Sequence, residues 1–255
     1  MSSAELKSFL DAKYAAFNNR DFIADDPISI PHRYTRKEDI EVAGLLSAVI
    51  AWGRRDLIVR AANQLMDLMW DAPFDFVMQA GEAELEATGE FVYRTFQGVD
   101  CAGAIRGLRR IYAELGGLER VMAIGPEEDS TFKAIVQLRQ AMLDTPGFAP
   151  RTQKHFANPA KGSSAKRLNM YLRWMVRKDG RGVDFGLWQG VRPHQLICPL
   201  DVHTGNVGRK LGLISRKAND WKSALELTQA LRRFDPEDPV KYDFSLFGLG
   251  VFEKF

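Results

Sequence analysis

Lys166 and Asp201, 35 residues apart, are the side chains whose sequence surroundings best suit covalent chemistry. Lys166 follows Gly162-Ser163-Ser164-Ala165 and leads into Leu168, Tyr171, Leu172 and Met175, a spacing that predicts a helix starting near Ser164. A cation in the first turn of a helix sits at the positive end of the macrodipole, where a carboxylate is normally preferred. With Lys161 and Arg167 close in sequence, that placement disfavours the ammonium and favours the free, nucleophilic amine. Asp201 follows Pro199-Leu200 and precedes a short helical pattern ending at Leu211-Gly212. It is therefore expected as an N-cap, where backbone N–H groups keep a carboxylate ionised. An amine beside a carboxylate suits attack on an electrophilic carbon with formation of an imine. Taken singly, the lysine also suits gripping a phosphate, and the aspartate also suits capping its helix.

Steps of seven and eleven residues return to nearly the same helical angle, so Lys166, Arg173 and Arg177 share one face, with Asn169 beside them. That face reads as cationic. Gly205 and Gly208 leave one side of the helix after Asp201 bare, for close packing or approach to a phosphate. The rest of the chain must position these groups, and its apolar periodicity predicts helices over 4–18, 38–52, 57–70, 74–80, 82–88, 102–115, 118–124, 131–143, 221–234 and 240–249. Thr35 and Glu38 have capping-box spacing. Val42, Leu45, Leu46, Val49 and Ile50 make 38–52 apolar on most sides, as in a central buried helix. No strand alternation is sustained, and the class expected is all-α.

The order Gly162-x-x-x-Lys166-x-x-Asn169, then Leu200-Asp201-x-His203 and Arg209-Lys210-Leu211-Gly212-Leu213, resembles the helix-hairpin-helix DNA glycosylases of the endonuclease III and 8-oxoguanine glycosylase superfamily. Leu45-Leu46-Ser47-Ala48 is similar to a frequent string of that domain's opening helix. The strings GSSAKRLNMYLRWMVR, PLDVHTGNVGRKLGL and DPVKYDFSLFGLG look most like an uncharacterised bacterial family within the superfamily. The resemblance, over roughly residues 40–250, implies a two-lobed helical fold with the hairpin at a cleft. It implies Lys166 as the Schiff-base lysine attacking the sugar C1′ and Asp201 as the assisting aspartate. Damaged duplex DNA is the implied partner, with the protein acting as a monomer in base excision. Lys161, Gly162, Ser163, Ser164, Arg167, Arg54, Arg55, Arg173 and Arg209 are the implied DNA contacts. Trp52, Asn169, Phe185, Trp188, His203 and Asp243 are candidates for the base pocket, Phe185 or Trp188 by stacking and His203 as an orienting neighbour of Asp201. Ser164 stands where a second hairpin glycine is usual, and Arg167-Leu168 where Thr-Ala is common. The gap of 35 residues is closer to that of archaeal 8-oxoguanine glycosylases, which points to an oxidised purine such as 8-oxoguanine. A structural monovalent cation at the hairpin is compatible with the resemblance.

Composition narrows the alternatives. With 45% hydrophobic and 27% charged residues, a chain of 255 residues can bury a substantial core, as one unit with a lobe at 38–145, hairpin and catalytic helices at 150–213 and C-terminal helices at 218–255. No apolar run approaches about 18 residues and the N-terminus lacks a hydrophobic signal segment, so no membrane partner and a cytoplasmic, nucleoid-associated location are expected. Cys101 and Cys198 are too far apart for a zinc or iron–sulfur spacing, so no such cofactor is expected. Asp201-x-His203 has no matching third metal ligand, and Gly162 to Lys166 lacks the Gly-x4-Gly-Lys pattern of a phosphate-binding loop. Between residues 151 and 217, 14 Lys and Arg face three Asp, a surplus of 11 positive charges in a chain of net charge +2. Such asymmetry suits a polyanion on one face. A helical DNA- or RNA-binding module without chemistry is the alternative reading, and a purely structural protein the third.

Overall fold

A computed structural model describes residues 1–255. Helix takes 62% of the chain and strand 2%, so the protein is predominantly helical. In chain order the helices are α1 (Ser3–Phe17), α2 (Asp21–Ala24), α3 (Lys37–Val49), α4 (Arg55–Leu68), α5 (Pro73–Gln79), α6 (Glu82–Ala87), α7 (Gly98–Glu114), α8 (Leu118–Met122), α9 (Phe132–Leu143), α10 (Lys166–Val176), α11 (Val202–Lys210), α12 (Trp221–Arg232) and α13 (Asp243–Val251). No helix is long and apolar enough to cross a membrane.

The chain divides into two compact units. One comprises Ile23–Ala123 and Lys133–Ala157. Its centre is α3, in which every residue from Ile40 to Val49 is buried, as an all-round apolar sequence requires. α4 buries Ile58, Ala61, Ala62, Leu65 and Met66, the three-four spacing of a single stripe. α7 does the same with Cys101, Ala104, Ile105, Leu108 and Ile111. A two-stranded hairpin, β1 (Val92–Tyr93) with β2 (Phe96–Gln97), pairs Tyr93 with Phe96. Two residues per strand are too few for periodicity to register, and the sequence reading had no strand here.

The other unit comprises Met1–Phe22, Ile124–Phe132 and Asn158–Phe255, so the first helix joins the C-terminal helices and part of 38–145 belongs with them. α1 and α11 both pack on α13. α10 is buried from Leu168 through Val176 and forms the spine of this unit.

Several boundaries move from their sequence positions. α10 starts at Lys166, not near Ser164, because Ala165 takes a left-handed φ of 50° that cannot continue a helix. Arg36, not Thr35, is the N-cap of α3, and Glu38 turns to Arg36 at 3.5 Å, so the expected capping box is not made. α7 begins at Gly98, earlier than 102, where the Asp100 carboxylate accepts the Gln97 N–H at 2.9 Å. Pro239 starts a 3-10 turn, and α13 proper begins at Asp243.

Candidate active site

The segment before α10 is folded onto itself. Asn158 accepts from Ala160 N through its side chain at 3.0 Å and from Lys161 N and Ser163 N through its carbonyl at 3.1 and 3.3 Å. Gly162 turns the chain with a φ of +87°, in open space, a conformation that suits glycine. Its N–H donates to Pro159 O, its carbonyl accepts from Trp221 N at 3.0 Å, and Ser163 Oγ accepts from Ala165 N. The backbone N–H groups of Gly162, Ser163 and Ala165 are thus engaged within the chain. Gly162, Ser163 and Ala165 therefore hold no amide free for a phosphate. The carbonyls of Asn158, Pro159 and Gly162 are likewise engaged. No group of three or more His, Cys, Asp or Glu is arranged to hold a metal ion.

The same segment closes the 35-residue gap. Ser164 Oγ donates to the carbonyl of Leu200 at 3.1 Å, and two residues further on Lys166 Nζ lies 3.7 Å from Asp201 Oδ2. The two side chains are 25% and 27% exposed, so both reach solvent. Asp201 is the N-cap of α11, its Oδ1 accepting from Thr204 N at 3.0 Å. Asn169 braces the turn from below, donating to Ser164 O and accepting from Thr131 Oγ1 at 2.8 Å. Gly205 and Gly208 serve packing: a Cβ at Gly208 would lie 2.9 Å from Ile214 Cδ1, and one at Gly205 2.5 Å from Asn219 Oδ1.

The face read as cationic turns inward after Lys166. Arg173 is only 3% exposed, its Nη1 donating to Asp243 Oδ2 at 2.5 Å and its Nε to Asp184 Oδ1 at 3.2 Å. Arg177 donates to Asp184 at 2.6 Å, to Asp238 at 2.9 Å and to Asp179 at 3.0 Å. Burial opposes the Arg177 charge, yet Asp184 and Asp238 outweigh it and hold the guanidinium more firmly protonated than usual. Asp179 also accepts from Tyr14 and Asn18, and despite partial burial the Arg181 N–H and Arg177 lower it to about 2. Burial pushes Asp243 up to about 6, against the pull of Arg173 and of the Lys166 ammonium. Arg173 is therefore a structural ion-pair partner and no DNA contact, since its guanidinium is enclosed. Sequence reasoning missed the partners Asp184 and Asp238; their signal was acidic residues scattered where two arginines on one face needed them.

The remaining candidates divide by position. Lys161, Gly162 and Ser163 are exposed, whereas Ser164 spends its hydroxyl on Leu200. Arg167 is half-buried, and burial lowers it to about 10. Arg209 clasps Arg216 O at 2.7 Å, Lys217 O at 2.9 Å and Asn219 Oδ1 at 2.7 Å, closing the loop after α11. His203 is exposed in the first turn of α11, and it is Thr204 N–H that holds Asp201. Trp188 is buried edge-on to Tyr171 at 5.4 Å and Asn169 is enclosed, so neither offers a surface to an extruded base in this structure. Phe185 is half-buried and ties its N–H to Trp174 O. In the other unit, Arg54 pairs with Asp56 on the surface at 2.7 Å, Arg55 opens α4, and Trp52 stacks on His155 at 5.7 Å.

No curated protein and no solved structure matches the chain. A family model does match, over residues 26–252, which includes α10, the Lys166–Asp201 pair and the buried ion chain behind it, and the chain thereby belongs to the family described as "Protein of unknown function (DUF2400)".

Proposed function

We propose that the protein is a DNA base-excision glycosylase with associated abasic-site lyase activity, built on a glycosylase-like helical fold in which residues 162–165 form the hairpin. The observation that carries this reading is the approach of Lys166 Nζ to Asp201 Oδ2 at 3.7 Å, both partly exposed although 35 residues apart. It joins the sequence resemblance of the same two residues to a nucleophile and its carboxylate. In the proposed reaction the free amine of Lys166 attacks C1′ of a nucleotide rotated out of the duplex, and the base departs with the electron pair of the glycosidic bond. Asp201 steadies positive charge developing on the sugar. The resulting imine permits strand scission by β-elimination. An oxidised purine such as 8-oxoguanine is the proposed lesion, in duplex DNA, with the protein acting as a monomer. Exposed Lys161 and Arg54 are proposed to meet phosphates.

Borohydride trapping with a panel of lesion-bearing duplexes tests the proposal. A covalent adduct formed by the wild type, lost in Lys166→Gln and retained in Lys133→Gln is the expected result. Salt-sensitive duplex binding with no adduct and no base release from any duplex overturns it in favour of a binding module.

A further inference from the structure

The peptide units on either side of Ala165 decide where Lys166 points. Ala165 is buried and takes φ 50° and ψ 34°, a left-handed conformation that residues with a Cβ rarely adopt and that its own methyl group does nothing to favour. Such a turn persists only where its surroundings hold it. One residue grips both carbonyls that bracket this one. Asn169 Nδ2 donates to Ser164 O at 3.1 Å, and Asn169 N donates to Ala165 O at 2.9 Å, the bond that opens α10. The Ser164–Ala165 peptide is held at its N–H as well, which donates to Ser163 Oγ at 3.2 Å.

Asn169 is itself oriented. Its side chain is enclosed, and the Thr131 hydroxyl, wholly buried just before α9, donates to its Oδ1 at 2.8 Å. Because a carbonyl can only accept, the amide nitrogen must face Ser164 O, which leaves the amide oxygen for Thr131. Loss of either bond strands a polar atom out of reach of water.

Two separate devices therefore set the approach of Lys166 to Asp201. The bond from Ser164 Oγ to Leu200 O at 3.1 Å fixes how far the start of α10 lies from the start of α11, and the Ala165 turn fixes the direction in which α10 departs. Relaxation of Ala165 to the right-handed region would swing the first turn of α10 about the Ser164 tether. Lys166 Nζ, now 3.7 Å from Asp201 Oδ2, would be carried away from it.

We infer that Asn169, oriented by Thr131, is a positioning residue for Lys166: it holds the left-handed turn that aims the amine at Asp201, and it does not touch the substrate. Its importance to chemistry rests on the reading of Lys166 as the nucleophile. Its hold on the geometry does not.

Carbodiimide cross-linking without DNA, read by peptide mass spectrometry, tests that geometry. An activated Asp201 carboxyl forms an amide with the Lys166 amine, with loss of water, only while the two stay in contact. The Lys13–Glu253 pair, 2.6 Å apart and brought together only by the fold, is the internal standard and shows that a variant is folded. Thr131→Val keeps the volume and removes the hydroxyl, and Asn169→Ser is too short to span to Ser164 O. Both are expected to lower the Lys166–Asp201 yield severalfold against the standard, and Thr131→Ser to recover it. In single-turnover borohydride trapping on an abasic duplex, the same two variants are expected to slow by about a hundredfold at saturation with duplex affinity retained. A Lys166–Asp201 yield unchanged in both variants, or absent from the wild type while Lys13–Glu253 forms, overturns the inference. Cross-links in the expected order with no trapped adduct from any protein uphold the hold of Asn169 on Lys166 and fail the repair reading alone.

Discussion

Arg173 Nη1 donates to Asp243 Oδ2 over 2.5 Å, and from this bond a chain of alternating charge runs through Asp184 and Arg177 to Asp179 and Asp238. Its inner members are nearly sealed from water, so their charges are stable only as a connected set. Arg173→Met removes one link, leaving Asp243 without its guanidinium and Asp184 with Arg177 alone. A loss of about 3–5 kcal/mol is expected, read as a lowered urea midpoint. Arg54→Ala, whose pair with Asp56 lies in solvent, is expected to leave that midpoint unchanged. Equal behaviour of the two variants would contradict the structural role given to Arg173.

Acid stability turns on Asp179. Its carboxyl lies at about 2, below its ordinary 3.8, so the unfolded chain takes up a proton there before the folded one does. The stabilisation is fully present above the ordinary value and is lost as pH falls from about 4 towards about 2. Thermal midpoints measured over that window should drop for the wild type and drop less steeply for Asp179→Asn. Parallel curves would show that Asp179 carries no such stabilisation.

Asp201 combines a cap with a charge, and substitution separates the two. Asparagine still accepts from Thr204 N, so Asp201→Asn should unfold near the wild-type midpoint while trapping slows by roughly a hundredfold or more. Asp201→Ala loses the cap as well, at a further cost of about 1 kcal/mol. Full trapping activity in Asp201→Asn would reduce the residue to a helix cap.

Lys166 is expected to matter to chemistry and hardly to stability. Its contact with Asp201 is a partly exposed pair, the kind that contributes roughly 0–1 kcal/mol. Lys166→Gln should therefore keep its melting temperature to within a few degrees and lose adduct formation by about a thousandfold or more. Lys161→Gln, from the exposed loop, should keep the adduct and lessen the salt dependence of duplex binding by a slope of about 1. An adduct surviving in Lys166→Gln would move the nucleophile elsewhere.

Residue types and their spacing carry what local chemistry dictates. Apolar residues three and four apart set the helices, so the stripe Ile58, Ala61, Ala62, Leu65 and Met66 and the buried run of α3 from Ile40 to Val49 follow from residue types alone. Pro199-Leu200-Asp201 before an amphipathic turn marked the cap that Asp201 makes. Periodicity also grouped Lys166, Arg173 and Arg177 on one face, but it cannot say whether a face meets solvent or other side chains. Tertiary structure decided that, because Asp184, Asp238 and Asp243 reach the arginines from outside α10 and only packing brings them there. The same holds for the Lys166–Asp201 pair: the bond from Ser164 to Leu200 closes the intervening chain, and hydrogen bonds between residues distant in sequence leave no period to read.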